Sequence, residues 1–159
     1  MSDPQALLAA NQAFYRAFQT KNLEAMSAVW SKSVNCICIH PGRPPLKGWD
    51  QIRFSWDQIF RNTEGMQMAL DVLAADVNGT LGYVMLFEKL VQGIQGRQVE
   101  AQSLATNIFE NKGGSWYLIH RHGSPILPMK PPNQPPGPEM GQPPGFGQPP
   151  GFGQPPRMS

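Results

Sequence analysis

Apolar side chains recur every three or four residues in three stretches of the N-terminal half, which predicts three amphipathic helices. Asp3 can cap a first helix over residues 4–19, and Asn22 can cap a second. A third is predicted from Gly48 to Asn62. The positions predicted to be buried are Leu7, Ala10, Phe14, Ala17, Phe18, Leu23, Met26, Val29, Trp30, Trp49, Ile52, Trp56, Ile59 and Phe60.

The remaining apolar runs have the composition of β-strands. A short strand is predicted over residues 34–40, where alternation places Cys36, Cys38 and His40 on one face. Asn78-Gly79 is a strong hairpin signal between later strands. The three longer strands are predicted over residues 66–77, 80–92 and 98–110.

The final strand begins at Trp116, after a glycine-containing turn over residues 111–114. Two large apolar residues followed by two histidines on one face indicate an apolar surface that leads to a polar patch. The other interpretation is an edge where the strand leaves the core for solvent. Strict alternation predicts one face made of Trp116, Leu118, His120 and His122, and a second made of Tyr117, Ile119 and Arg121.

Helices followed by a run of strands predict an α+β architecture, with the helices packed on one face of the sheet. Of the 17 prolines, 13 lie at or after Pro125, so a domain over residues 1–126 and a tail over residues 127–159 are expected. The tail, with Gly-Phe-Gly-Gln-Pro-Pro twice in tandem, is predicted to be disordered with polyproline II character. It is either a solubilising segment or a docking segment for a protein partner, with Phe146 and Phe152 as anchors.

Charge and composition exclude several classes of partner. The chain has 13 basic and 11 acidic residues without a basic cluster, so neither nucleic acid nor a membrane surface is an expected partner. No apolar run approaches the ~20 residues of a membrane span, and the N-terminus does not have the pattern of a signal peptide. The cytoplasm is the expected compartment. Cys36 and Cys38 are expected to be buried free thiols in a reducing compartment.

Two motifs resemble the SnoaL-like branch of the nuclear transport factor 2 / ketosteroid isomerase superfamily. One is Ile39-His40-Pro41-Gly42, followed by Leu46-Lys47-Gly48 and an amphipathic helix. The other is Thr106-Asn107-x-Phe109, the glycine turn, Trp116 and the ending His120-x-His122-x-Ser124-Pro125. The resemblance covers residues 5 to 126. It implies a cone: a curved antiparallel or mixed sheet wrapped around three N-terminal helices, with an apolar pocket inside and an outer face that commonly pairs two subunits as a homodimer.

The resemblance also implies where chemistry would lie. Ketosteroid isomerase has its general base, an aspartate followed by proline, at the end of the first strand. Here His40 precedes Pro41 at that place, and a histidine near its usual pKa of about 6.5 could accept a proton. The oxyanion-binding tyrosine of that enzyme lies on the first helix, close to Tyr15, with Phe14 as the competing match.

Trp56, His120 and His122 are the candidate ligand-binding residues, although strand-end histidines also satisfy local backbone groups. Three histidines could hold a metal, but their spacing does not favour it, and neither a metal nor a cofactor is expected. The predicted function is binding or transformation of a small, largely apolar molecule in the cone. The alternative is a non-catalytic dimerisation or interaction module with a proline-rich docking tail.

Overall fold

The structure, a computed structural model, describes residues 4–127 of the 159-residue chain. Apart from Leu127, the predicted tail, with Phe146 and Phe152, lies outside the described residues. Within residues 4–127, three helices and six strands follow one another. They are α1 Pro4–Gln19, α2 Leu23–Val29, β1 Ile37–Ile39, β2 Leu46–Lys47, α3 Trp49–Asn62, β3 Gly65–Asn78, β4 Leu81–Ile94, β5 Arg97–Lys112 and β6 Ser115–Pro125.

The predicted helices are confirmed. The break between α1 and α2 contains Lys21 at φ 53°, a left-handed conformation that stops the first helix. Asn22 then caps α2, because its Oδ1 atom accepts a hydrogen bond from the Ala25 N–H over 3.0 Å. None of the three described helices combines the length and the apolar character that crossing a membrane would require.

The strands form one six-stranded sheet in the order β2-β1-β6-β5-β4-β3. β1 runs parallel to β6, and every other neighbouring pair is antiparallel. The three helices and the curved mixed sheet match the predicted α+β cone. The first strand is shorter than predicted, and the two-residue β2 was missed, because its pairing with β1 is not visible in so short a segment.

The core lies between the helices and the inner face of the sheet. Its largest apolar side chains come from helices, strands and loops. Those buried to 1% exposure or less include Leu7, Phe14, Met26, Trp30, Ile52, Trp56, Val84, Leu86, Phe109 and Leu118. Cys36 and Cys38 are also buried, and both are free thiols.

A β-bulge in β6 changes which residues face the core. Ile108 of β5 pairs with His120, whereas the next residue, Phe109, pairs with Leu118, so Ile119 is an extra residue in β6. Leu118 is buried before the bulge and Arg121 after it. The predicted single face of Trp116, Leu118, His120 and His122 is therefore wrong, because strict alternation does not hold across a bulge.

Candidate functional site

The first strand ends in a tight turn that carries His40 and Arg43. The Arg43 N–H donates to the His40 carbonyl oxygen over 2.9 Å. Gly42 has φ 74°, the positive value that the third position of a type II turn requires, and Pro41 suits the second position. The local sequence His-Pro-Gly-Arg thus builds the turn and holds His40 and Arg43 close to each other.

The His40 imidazole is held between β1 and α3. Its Nε2 atom lies 2.7 Å from the Ser55 hydroxyl oxygen and 3.7 Å from the Cys38 sulfur. The ring also meets Trp56 edge-on, with 4.9 Å between the ring centroids. These contacts fix the orientation of a half-buried histidine.

His40 is neutral at neutral pH. Burial, followed by the positive charges of Arg121 and Arg43, lowers the pKa of His40 from 6.5 to about 3. The prediction of an imidazole near its usual pKa is therefore wrong, because neither the burial nor the approach of Arg121 could be inferred locally. A neutral imidazole presents one donor and one acceptor nitrogen.

A cavity of about 500 Å³ lies beside His40, between α3, the turn after β1 and the end of β4. Arg43 is the one charged side chain among the described residues that line it. The other lining side chains divide into an apolar and a neutral polar group. The apolar group is Pro44, Leu46, Ile59 and Ile94. The neutral polar group is His40, Ser55, Gln58, Asn62, Thr63 and Gln92. Such a mixture can enclose an apolar body and orient it by hydrogen bonds.

A second polar group lies in the interior of the domain. Arg121 of β6 and Glu88 of β4 form a two-point ion pair, with 2.8 Å from Nη1 to Oε2 and 3.2 Å from Nη2 to Oε1. Their side chains are 1% and 3% exposed. The rings of Phe14 and Phe18 cover the guanidinium, with centroids 5.2 and 5.8 Å from Cζ. Because an unpaired charge at this depth would be strongly destabilising, each partner requires the other.

Tyr15 belongs to this interior group. Its hydroxyl donates to Glu88 Oε2 over 2.5 Å and accepts from Asn107 Nδ2 at 3.1 Å and Arg121 Nη1 at 3.3 Å. Burial raises the pKa of Tyr15 above its usual value, despite the opposing charge of Arg121. The hydroxyl proton is thus engaged by Glu88, and Tyr15 is absent from the described lining of the His40 cavity.

Trp56 and Cys38 pack against the His40 imidazole. Trp56 is fully buried and lies against the imidazole, but it is not among the described residues that line the cavity. Burial raises the pKa of Cys38 to about 12, so its sulfur is a protonated thiol at neutral pH. Both residues therefore act on His40 by packing.

The structure does not bring the three histidines together. His40 shares the inner face with Cys38, whereas His120 and His122 lie on the outer face of β6, because the neighbouring Arg121 points inward. The rings of His120 and His122 have centroids 6.5 Å apart. Within residues 4–127 no group of three or more histidine, cysteine, aspartate or glutamate side chains is placed to hold a metal ion.

Sequence reasoning missed Ser55, Arg43 and the Glu88–Arg121 pair as parts of the interior and its cavity. Glu88 did carry a signal, since it follows Val84 and Leu86 at two-residue spacing in an apolar strand and therefore shares their buried face. A buried carboxylate requires a cationic partner. No local pattern identified Arg121 as that partner.

A family model described as the SnoaL-like domain matches residues 7–128 of the chain. Among solved structures, a protein of the nuclear transport factor 2-like family from Streptomyces avermitilis, named as a candidate dehydratase, is 32% identical. The match has a TM-score of 0.73 and covers 79% of this chain and 97% of the other.

A second solved structure is a candidate calcium/calmodulin-dependent protein kinase type II association domain from Thiobacillus denitrificans. It is 27% identical with a TM-score of 0.68, and the match covers 75% of this chain and 94% of that one. A curated relative, the F-box protein SKIP8 of Arabidopsis thaliana, is 24% identical over 123 residues, or 77% of this chain. The match covers 51% of SKIP8, so the chain spans about half the length of this relative.

Proposed function

The chain belongs to the SnoaL-like domain family, and on that premise we propose that the domain binds a small, largely apolar molecule in the cavity beside His40. The imidazole is the hydrogen-bonding contact for the ligand, and it is the proton acceptor if the ligand is transformed. The proposal is carried by one observation: an oriented, neutral histidine at the wall of a cavity that also has apolar and amide side chains.

The environment of His40 determines which chemistry suits it. Protonation of the imidazole is unfavourable because burial, and then the positive charges of Arg121 and Arg43, lower the pKa of His40. Proton abstraction therefore requires a ligand whose developing negative charge offsets the new positive charge. Hydrogen bonding to a hydroxyl or carbonyl has no such requirement.

The relative from Streptomyces avermitilis suggests which ligands to test first. It is named as a candidate dehydratase, and loss of water from a hydroxylated molecule includes removal of a proton by a base. Small apolar alcohols and hydroxyketones are therefore the first class to test for binding and for turnover.

Native mass spectrometry of the full-length protein tests the proposal. We expect a non-covalently bound mass that denaturation releases. If the purified protein carries no such mass, we expect it to form complexes with the small apolar alcohols and hydroxyketones. His40→Ala should lower occupancy at least tenfold, since it removes the ligand contact, and Ser55→Ala should lower it less.

His122→Ala is the matched control, because it removes a histidine from the outer face. It should leave occupancy unchanged, and the melting temperature of each variant shows whether the domain remains folded. Equal occupancy in folded His40→Ala and wild-type protein would contradict the proposal.

The alternative function, a non-catalytic dimerisation module, is supported by a separate observation. Leu81, Tyr83 and Phe87 project from the outer face of β4 with 45%, 42% and 40% exposure. Leu104 and Ile108 of β5 stand opposite Phe87 and Tyr83 and extend the same apolar surface. A second copy of this chain is its proposed occupant, in line with the Thiobacillus denitrificans relative, which is named as an association domain. A dimer is compatible with ligand binding, since the cavity lies on the inner side of the sheet.

A further inference from the structure

We propose that the ligand of the His40 cavity carries a carboxylate on its apolar body, and that Arg43 pairs with this group and selects acids over neutral molecules. This inference rests on the proposed function, because it identifies the ligand class of the same cavity. It assigns to Arg43 a specificity-determining role.

The turn after β1 fixes where the Arg43 side chain starts. His40 and Arg43 are the first and fourth residues of the type II turn, and such residues have Cα atoms less than about 7 Å apart. Pro41 restricts the turn further, and its ring packs on Gly123 of β6, where a Cβ atom would lie 2.8 Å from Pro41 Cγ. A ligand in contact with His40 is therefore within reach of the guanidinium.

The charges around the cavity are unbalanced. Arg43 forms no ion pair within residues 4–127, in contrast to Arg121, which is neutralised by Glu88. The described lining contains no carboxylate, and its remaining polar groups are neutral. An anionic group on the ligand would balance the positive charge of Arg43.

The chemistry of the guanidinium favours a carboxylate. Its planar array of N–H donors matches the two oxygens of a carboxylate, and such charge-assisted hydrogen bonds are among the strongest in proteins. Arg43 is exposed, so its charge remains hydrated until a ligand arrives. Leu46, Ile59 and Ile94 are available for the apolar body of the same molecule.

Matched pairs of probes test the inference on the full-length protein. Each pair is an acid and its primary amide, from phenylpropanoate to phenylhexanoate and from hexanoate to dodecanoate. Binding is measured by titration while the side-chain NMR signals of His40 report its location. We expect the acids to bind roughly five- to tenfold more tightly than their amides, between the range for exposed ion pairs and that for charge-assisted hydrogen bonds.

Three variants separate the charge of Arg43 from other effects. Arg43→Gln should reduce the preference for acids to less than about twofold, whereas Arg43→Lys should retain most of it. Arg53→Gln, on the exposed side of α3 and outside the cavity lining, makes the same change in net charge and should retain all of it.

The outcomes distinguish this inference from the proposed function. If acid and amide bind equally beside His40, or if the preference survives Arg43→Gln, the carboxylate assignment is overturned while the cavity remains a binding site. If neither member of any pair perturbs His40 at millimolar concentration, the carboxylate assignment is overturned, and titration with the alcohols and hydroxyketones then decides the proposed function by itself.

Discussion

At the scale of single residues, the surroundings of His40 lower its pKa and fix the orientation of its ring. Its neutral ring is held by Ser55, Trp56 and Cys38, and its lowered pKa follows from burial and from two arginines that lie far apart in sequence. A lowered pKa in the folded state also affects stability, because the unfolded chain binds the proton more readily.

The first prediction concerns this linkage. The stabilising effect of a neutral His40 is fully present above pH 6.5 and is lost as the pH falls towards the folded-state pKa of about 3. Between pH 6.5 and pH 5 the free energy of unfolding should fall by about 1.6 kcal/mol from this residue alone, because the slope approaches about 1.4 kcal/mol per pH unit only below the unfolded-state pKa. Urea unfolding of wild-type and His40→Gln protein at both pH values measures it, and His40→Gln should lack this part of the fall.

Gln58→Ala is the control for a change in the cavity wall without loss of a titratable group. Its pH profile should run parallel to that of the wild type. A parallel profile for His40→Gln would show that His40 is not responsible for the linkage.

At the scale of elements, the position of the His40 turn depends on β6. β1 pairs with β6 in parallel, with Ile39 opposite His122, and the chain then turns so that Pro41 lies over Gly123. A side chain at residue 123 would occupy the space of the proline ring. The Pro41 ring is rigid, so it cannot move aside as a long flexible side chain could.

Gly123→Ala should therefore displace the turn. We expect a loss of about 1–3 kcal/mol in the free energy of unfolding, the usual cost of overpacking, together with weaker binding in the His40 cavity. Chemical denaturation measures the first effect, and probe titration monitored at His40 measures the second.

Gly65→Ala is the matched control, since a Cβ atom there has no heavy atom within 4 Å among the described residues. Its stability should stay within about 0.5 kcal/mol of wild type. If Gly123→Ala behaves in the same way, the close approach of Pro41 and Gly123 does not hold the turn.

At the scale of the whole molecule, the sheet has two different faces. The inner face holds the core, the Glu88–Arg121 pair and the cavity, whereas the outer face presents Tyr83, Phe87 and the two β6 histidines. A contiguous exposed apolar surface on a sheet is typical of an association site. On a dimer formed through this face, His120 and His122 would lie close to the partner subunit.

Two charges on the outer face should prevent association. Tyr83→Glu combined with Phe87→Glu places carboxylates where the two copies would meet, and their burial without partners is unfavourable. We expect light scattering after size-exclusion chromatography to give about twice 17.6 kDa for the wild type and 17.6 kDa for the variant.

Phe54→Glu is the control, because Phe54 is 63% exposed and belongs to α3 and not to a strand of the sheet. It should remain dimeric. A monomeric wild type, or a dimeric Tyr83→Glu/Phe87→Glu variant, would rule out this face as the interface.

The sequence by itself determined the three helices, the hairpin turns and the order of the long strands. Each depends on interactions within a few residues: apolar spacing for α1 and α3, a side-chain cap at Asn22, and positive φ at Gly79 and Gly113. It also placed His40 directly before Pro41-Gly42, and the type II turn follows from those residues alone. Local signals of this kind are legible without knowing what the segment packs against.

Only the tertiary structure decided which side chains form the interior site. The bulge at Ile119 exists because of how β6 pairs with β5, and it turns Arg121 inward and the two histidines outward. Arg121 then meets Glu88, 33 residues away in sequence, and Tyr15, 106 residues away. The neutral state of His40 has largely the same origin, because its burial and the field of the distant Arg121 depend on the folded arrangement of the chain, whereas only the smaller effect of Arg43 comes from the local turn.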